Sequence, residues 1–136
     1  MNVLITLPKE LIEQLLCGHK KFEMRKSFPT NLKLGSDGFF VVEKGTHNIR
    51  CWCKVDFVMI RNIGPIEAQN LSWDLCVSAE FIRDYARDGK PVLLWGIGCV
   101  IELNGLTTKD LGIKTNPQSF VYCPWSLNDI KELLSK

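Results

Sequence analysis

Asn2-Val3-Leu4-Ile5-Thr6-Leu7-Pro8-Lys9-Glu10-Leu11-Ile12-Glu13-Gln14-Leu15-Leu16-Cys17-Gly18-His19-Lys20-Lys21-Phe22-Glu23-Met24-Arg25-Lys26 holds three elements in succession. Asn2 to Leu7 alternates poorly but is rich in β-formers, which predicts a short buried strand. Pro8 suits the first turn of a helix. Leu11, Ile12, Leu15 and Leu16 then recur at helical spacing, and Gly18 stands where a left-handed C-cap belongs, so the helix covers 8–17. Lys21 to Lys26 alternates, with Phe22 and Met24 on one side and Lys21, Glu23 and Arg25 on the other, as a half-buried strand does.

Beyond this stretch, Ser27 to Asp37 carries Pro29, Asn31, Gly35 and Ser36 and reads as a loop. Gly38 to Lys44 and Ile49 to Arg61 read as strands of one hairpin about the Gly45-Thr46-His47-Asn48 turn. Pro65 to Leu71 predicts a short helix. Ser78 caps a second helix to Arg87, with Phe81, Ile82 and Tyr85 inward. Val92 to Leu103 reads as a central strand, Thr107 starts a turn, and Phe120 to Tyr122 is a last strand. Ser126 caps a terminal helix bearing Leu127, Ile130, Leu133 and Leu134. With most strands joined by hairpins, the expected class is α+β, a small, mainly antiparallel β-barrel flanked by short helices.

The chain has 136 residues, 46% of them hydrophobic and 24% charged, which suits one globular domain over 1–136 and excludes whole-chain disorder. Seventeen Lys and Arg oppose 15 Asp and Glu, so bulk charge says nothing about partners. Val92 to Ile101, the longest mostly apolar run, is short of the roughly 20 residues of a membrane helix. No cationic leader precedes the first apolar stretch. The expectation is a cytoplasmic protein with no membrane partner.

Cys17, Cys51, Cys53, Cys76, Cys99 and Cys123 are then reduced packing thiols, not disulfides. Cys51 and Cys53 lack zinc-knuckle spacing and share one strand face, so no metal and no cofactor is expected. There is no Walker loop, dinucleotide fingerprint, HExxH or nucleophile elbow. His19 and His47 fall in turns, where solvation explains them.

Charge is concentrated in one place: His19 to Lys33 holds five basic residues and one acid, a net +4 in a chain of +2. Lys20 and Lys21 follow a helix C-terminus, which favours cations. Glu23 and Arg25 share a strand face, and a paired Glu23 would orient the Arg25 guanidinium for phosphate or a base edge. The plain alternative is an exposed strand face with a salt bridge worth under about 1 kcal/mol.

Gly18-x-Lys20-x-x-Glu23-x-Arg25, placed after a first strand and an amphipathic helix, resembles the signature of the ASCH domain family, relatives of the PUA domains. The later layout, down to Asn116-Pro117-Gln118-Ser119-Phe120-Val121-Tyr122, is also similar to bacterial and phage members, so the resemblance spans most of the chain. It implies a PUA-like barrel with a cleft beside the first helix, and a binder of RNA or a nucleotide through Lys20, Lys21, Glu23, Arg25 and Lys26. Trp73 or Trp125 would stack on an unpaired base. Four phosphate contacts predict a log-affinity against log-salt slope of about −3 on single strands.

The alternative that the resemblance implies is a small hydrolase, an amidohydrolase on acylated cytidine or a ribonuclease, with Lys20 catalytic as nucleophile or base and Glu23 shuttling the proton. In that type a threonine stands where this chain has Glu23. A further distal acid is needed, for which Glu67 and Glu80 are the candidates. Glu23 also lies close enough to Lys20 to hold it as an ammonium, which opposes this chemistry.

Overall fold

The computed structural model describes residues 1–136. In chain order the elements are β1 (Asn2–Leu7), α1 (Lys9–Leu16), β2 (Phe22–Arg25), β3 (Gly38–Glu43), β4 (Asn48–Arg61), α2 (Pro65–Leu75), α3 (Ala79–Tyr85), β5 (Val92–Thr107), a 3-10 turn (Lys109–Leu111), β6 (Phe120–Cys123) and α4 (Leu127–Leu134). The strands form one six-stranded sheet in the order β2-β5-β4-β3-β1-β6. Only β1 and β3 pair in parallel; every other pairing is antiparallel, as expected of this α+β class.

The joining of strands differs from the reading by hairpins. β3 and β4 alone are linked by a tight turn, about Gly45 at φ +82°. α2 and α3 fill the connection from β4 to β5, and α1 and β2 fill that from β1 to β3. A parallel pair requires such a crossover, because its strands run the same way.

β2 and β6 are the two edges of the sheet, yet Arg25 of β2 donates through Nη1 to the carbonyl of Ser119, 3.1 Å away and next to β6. The sheet therefore rolls until its edges approach. Register shifts at Val41/Val42 and along β4 supply curvature that a regular ladder resists.

β1 alternates poorly because both its faces are covered. Val3 and Ile5 join Ile12, Leu15, Phe39, Val41 and Trp95 in one core, while Leu4 joins Phe40, Trp52 and Ile130 of α4 in a second. A third core packs α2 and α3 through Ala68, Leu75 and Ile82 onto Met24 and Leu94.

Ser78 caps α3 by accepting from the Phe81 N–H, and Ser126 forms a capping box with Asp129 at α4. Pro8 sits one residue outside α1, and α2 runs four residues beyond the expected Leu71. Cys51 and Cys53 are buried together, and burial pushes the Cys53 thiol up. Cys17 and Cys99 are exposed, contrary to the packing their apolar neighbours suggest. Cys17 caps α1 beyond its buried face, and Cys99 lies on an uncovered part of β5. No helix is long and apolar enough to cross a membrane.

Candidate functional site

Gly18, at φ +79°, turns the chain off α1 and lets Lys20 fold back toward β2. Lys20 and Glu23 are each only 4% exposed, which removes the reading of an exposed strand face. The Glu23 carboxylate divides its oxygens: Oε2 accepts from Arg25 Nε at 2.7 Å, and Oε1 faces Lys20 Nζ at 3.4 Å. Glu23 thus orients the Arg25 guanidinium, whose Nη1 is fixed by Ser119.

Lys20 Nζ also donates to the carbonyl of Leu75 at 3.0 Å. The preceding carbonyl, Asp74, accepts the backbone N–H of Lys21 at 2.7 Å. α2 has no basic residue in its own last turn. The two lysines after α1 therefore supply the cation and the donor that the C-terminal carbonyls of α2 lack. This is also why α2 continues to Leu75.

The trio opens on a cavity of about 690 Å³. Lys26 and Lys44 add two more cations to its lining, and Glu23 is its sole carboxylate. Lys26 is held by Asp88 at 2.8 Å and lies 5.3 Å from the centre of the Tyr85 ring. Lys44 has no ion pair. Phe81 and Tyr85, one turn apart on α3, stack with centroids 6.4 Å apart and planes at 17°. Phe81 is 53% exposed, so it forms cavity wall where the sequence suggested core. Burial pushes the Tyr85 hydroxyl up, with the Glu23 charge adding to it and Arg25 opposing. Leu7, Leu11, Leu75 and Val77 make an apolar floor.

Four of the five expected site residues, Lys20, Glu23, Arg25 and Lys26, line this one cavity, and Lys21 is exposed outside it. Of the two expected stacking residues, Trp73 is exposed outside the cavity, and Trp125 is half-buried against the second core. Glu67 and Glu80 are exposed and do not line the cavity. His19 and His47 are exposed in turns, bonded to Gln14 and Thr108.

Lys44 and the Phe81–Tyr85 pair are functional candidates that the sequence reading missed. Lys44 arrives through its N–H bond to the Leu7 carbonyl, an extension of the β1–β3 pairing. For Phe81, the exposed side of a capped amphipathic helix was the available signal.

No family model and no curated protein matches the sequence. Among solved structures, the chain is similar to the ASCH protein of Zymomonas mobilis at a TM-score of 0.77 and 14% identity, covering 98% of this chain and 94% of that one. A single-residue variant of the same protein gives a TM-score of 0.71 over 98% and 96%. The hypothetical protein PH0355 is similar at 0.52 and 16% identity, over 76% of this chain and 100% of that one. The fold is thus that of the Zymomonas mobilis ASCH protein, as the motif implies.

Proposed function

We propose that the chain is a single binding domain over 1–136 whose cavity takes a nucleotide or an unpaired segment of RNA. One observation carries this reading: two buried ionised side chains, Lys20 and Glu23, face a large cavity and share it with further cations. Removing charges from water costs several kcal/mol per ion, so an ionic knot is poor scaffolding compared with an apolar core. It is apt for an anion. Arg25 keeps Nη2 free of protein partners, and Lys44 is unpaired, so both serve phosphate. The Phe81–Tyr85 pair offers a base an aromatic wall worth about 1–3 kcal/mol per stack. The free thiols suit the cytoplasm, where they stay reduced.

The hydrolytic alternative draws on the same placement of Lys20 and Glu23. Against it, the Lys20 ammonium is engaged with a carboxylate and a carbonyl, and neither candidate distal acid reaches the cavity. Incubating the protein and Lys20→Ala with acetylated cytidine and with RNA separates the readings. Product that depends on Lys20 supports the enzyme.

For binding, labelled single-stranded RNA is titrated at several salt concentrations. With Lys26 held by Asp88 and Lys21 outside the cavity, about two effective charges act: Lys44 and the net charge of the trio. The expected log–log slope is about −1.4, shallower than four free contacts predict. No affinity at low salt overturns the proposal.

A further inference from the structure

We infer that Trp73 and the hollow beneath it form a second base subsite, next to the first cavity, which makes the preferred ligand a single-stranded RNA of at least two nucleotides instead of a mononucleotide. This rests on the cavity reading above and extends it.

Trp95 and Trp52 are 0% and 4% exposed, and Trp125 is half-buried, but Trp73 on α2 is 86% exposed. An indole left in water forgoes a large apolar burial, and Trp is enriched where a surface meets a partner. Trp73 opens on a second hollow of about 540 Å³, walled by Gln14, His19, Ser72, Cys76, Val77 and Ser78. Val77 lines both this hollow and the first cavity. The partition is therefore one segment, Leu75 to Val77, with the Lys20 ammonium against its Leu75 carbonyl on one side and Trp73 on the other. Its middle residue, Cys76, takes a left-handed conformation at φ 59°, the one non-glycine in the chain to do so.

The chemistry of the hollow favours a base over a peptide. Its wall holds amide, imidazole and hydroxyl side chains and no carboxylate. His19 uses Nδ1 on Gln14, 3.1 Å away, leaving Nε2 for a ligand. The backbone N–H of Lys21 bonds to the carbonyl of Asp74, the neighbour of Trp73 in the chain, and Lys21 is exposed and makes no ion pair. It lies outside the first cavity but is placed for the phosphate that links two nucleotides. A base on Trp73 with its edge toward Gln14 and His19 follows the usual mode of unpaired RNA recognition.

The test measures AMP and hexa-adenylate binding to the wild-type protein, Trp73→Ala, Trp73→Phe and Ile66→Ala. Ile66 lies two turns earlier on the same helix face and is 72% exposed, so it reports a general apolar docking surface. The expected result is a roughly 5- to 150-fold loss of hexa-adenylate affinity in Trp73→Ala, confined to the oligonucleotide. Trp73→Phe recovers most of it, and Ile66→Ala behaves as wild type. Equal hexa-adenylate affinity in wild type and Trp73→Ala overturns the second subsite and leaves the first cavity standing. If light scattering shows both alanine variants dissolving a self-associated species while RNA binding is unchanged, the face is a protein interface and the inference is also overturned. Should neither AMP nor hexa-adenylate bind the wild type, the cavity reading itself falls.

Discussion

The protein buries two polar knots, and they are built on opposite principles. At one, the Asn2 amide is neutral and nearly saturated. Its Nδ2 donates to the Trp125 carbonyl at 3.0 Å, and its Oδ1 accepts from the Gly38 N–H at 2.8 Å and Trp52 Nε1 at 3.3 Å. It ties β1 to β3, β4 and the segment leading to α4, and it lines neither of the two cavities described above. At the other, Lys20, Glu23 and Arg25 are ionic, carry net positive charge and face open space. The first arrangement explains itself as a fastener between strands. The second is a costly way to join α1, β2 and α2, and becomes intelligible once an anion completes it.

Breaking each knot should give different signatures. The largest effect is expected from Glu23→Ala, which leaves two cations facing each other with little water. It should cost about 3–5 kcal/mol in denaturant unfolding. Lys20→Met combined with Glu23→Met should recover most of that stability and lose RNA affinity; a double variant that binds as well as wild type would remove the trio from the site. Next, Asn2→Ala should cost about 1–3 kcal/mol by stranding the Gly38 and Trp52 donors, with RNA affinity unchanged. A fall in affinity there would erase the contrast between the knots.

Smaller effects sharpen the ionic side. Lys44→Ala touches no ion pair, so stability should stay within about 0.5 kcal/mol while the salt slope weakens by about 0.7. Last, Asp88→Asn frees Lys26 and should steepen the slope by at most about 0.7. The hydrogen bond from Lys26, helped by the Lys90 N–H, holds the Asp88 carboxyl below its usual range. A lowered carboxyl stays charged, and the tether intact, until pH falls through that lowered value. The difference in salt slope between wild type and Asp88→Asn should therefore be the same at pH 6 and pH 8; a difference that vanishes at pH 6 would show that Asp88 is not what restrains Lys26.

The elements of the fold were readable where neighbours in the chain decide them. The helical period of Leu11 to Leu16, the Gly18 turn, the alternation of β2, and the Ser78 and Ser126 caps all rest on contacts within about four residues. Element ends were less readable where a distant group sets them: α2 extends because Lys20 and Lys21 meet its last carbonyls. Phe81 was misplaced because its helix packs one face on β2 and β5 and turns another to a cavity that exists only once β2 lies beside β5.

The motif already marked Lys20, Glu23 and Arg25 as a group: strand alternation puts Glu23 and Arg25 on one face, and the Gly18 turn lets Lys20 fold back to them, where the Leu75 carbonyl holds it. What sequence could not decide is which other cations join them. Lys21, Lys26 and Lys44 are the same residue type, yet one is turned to the outer surface, one is tied to Asp88, and the free one comes from the turn after β3. That choice belongs to the parallel pairing of β1 with β3 and the rolling of the sheet, because the sum of charges in a cavity depends on strands that meet only in three dimensions.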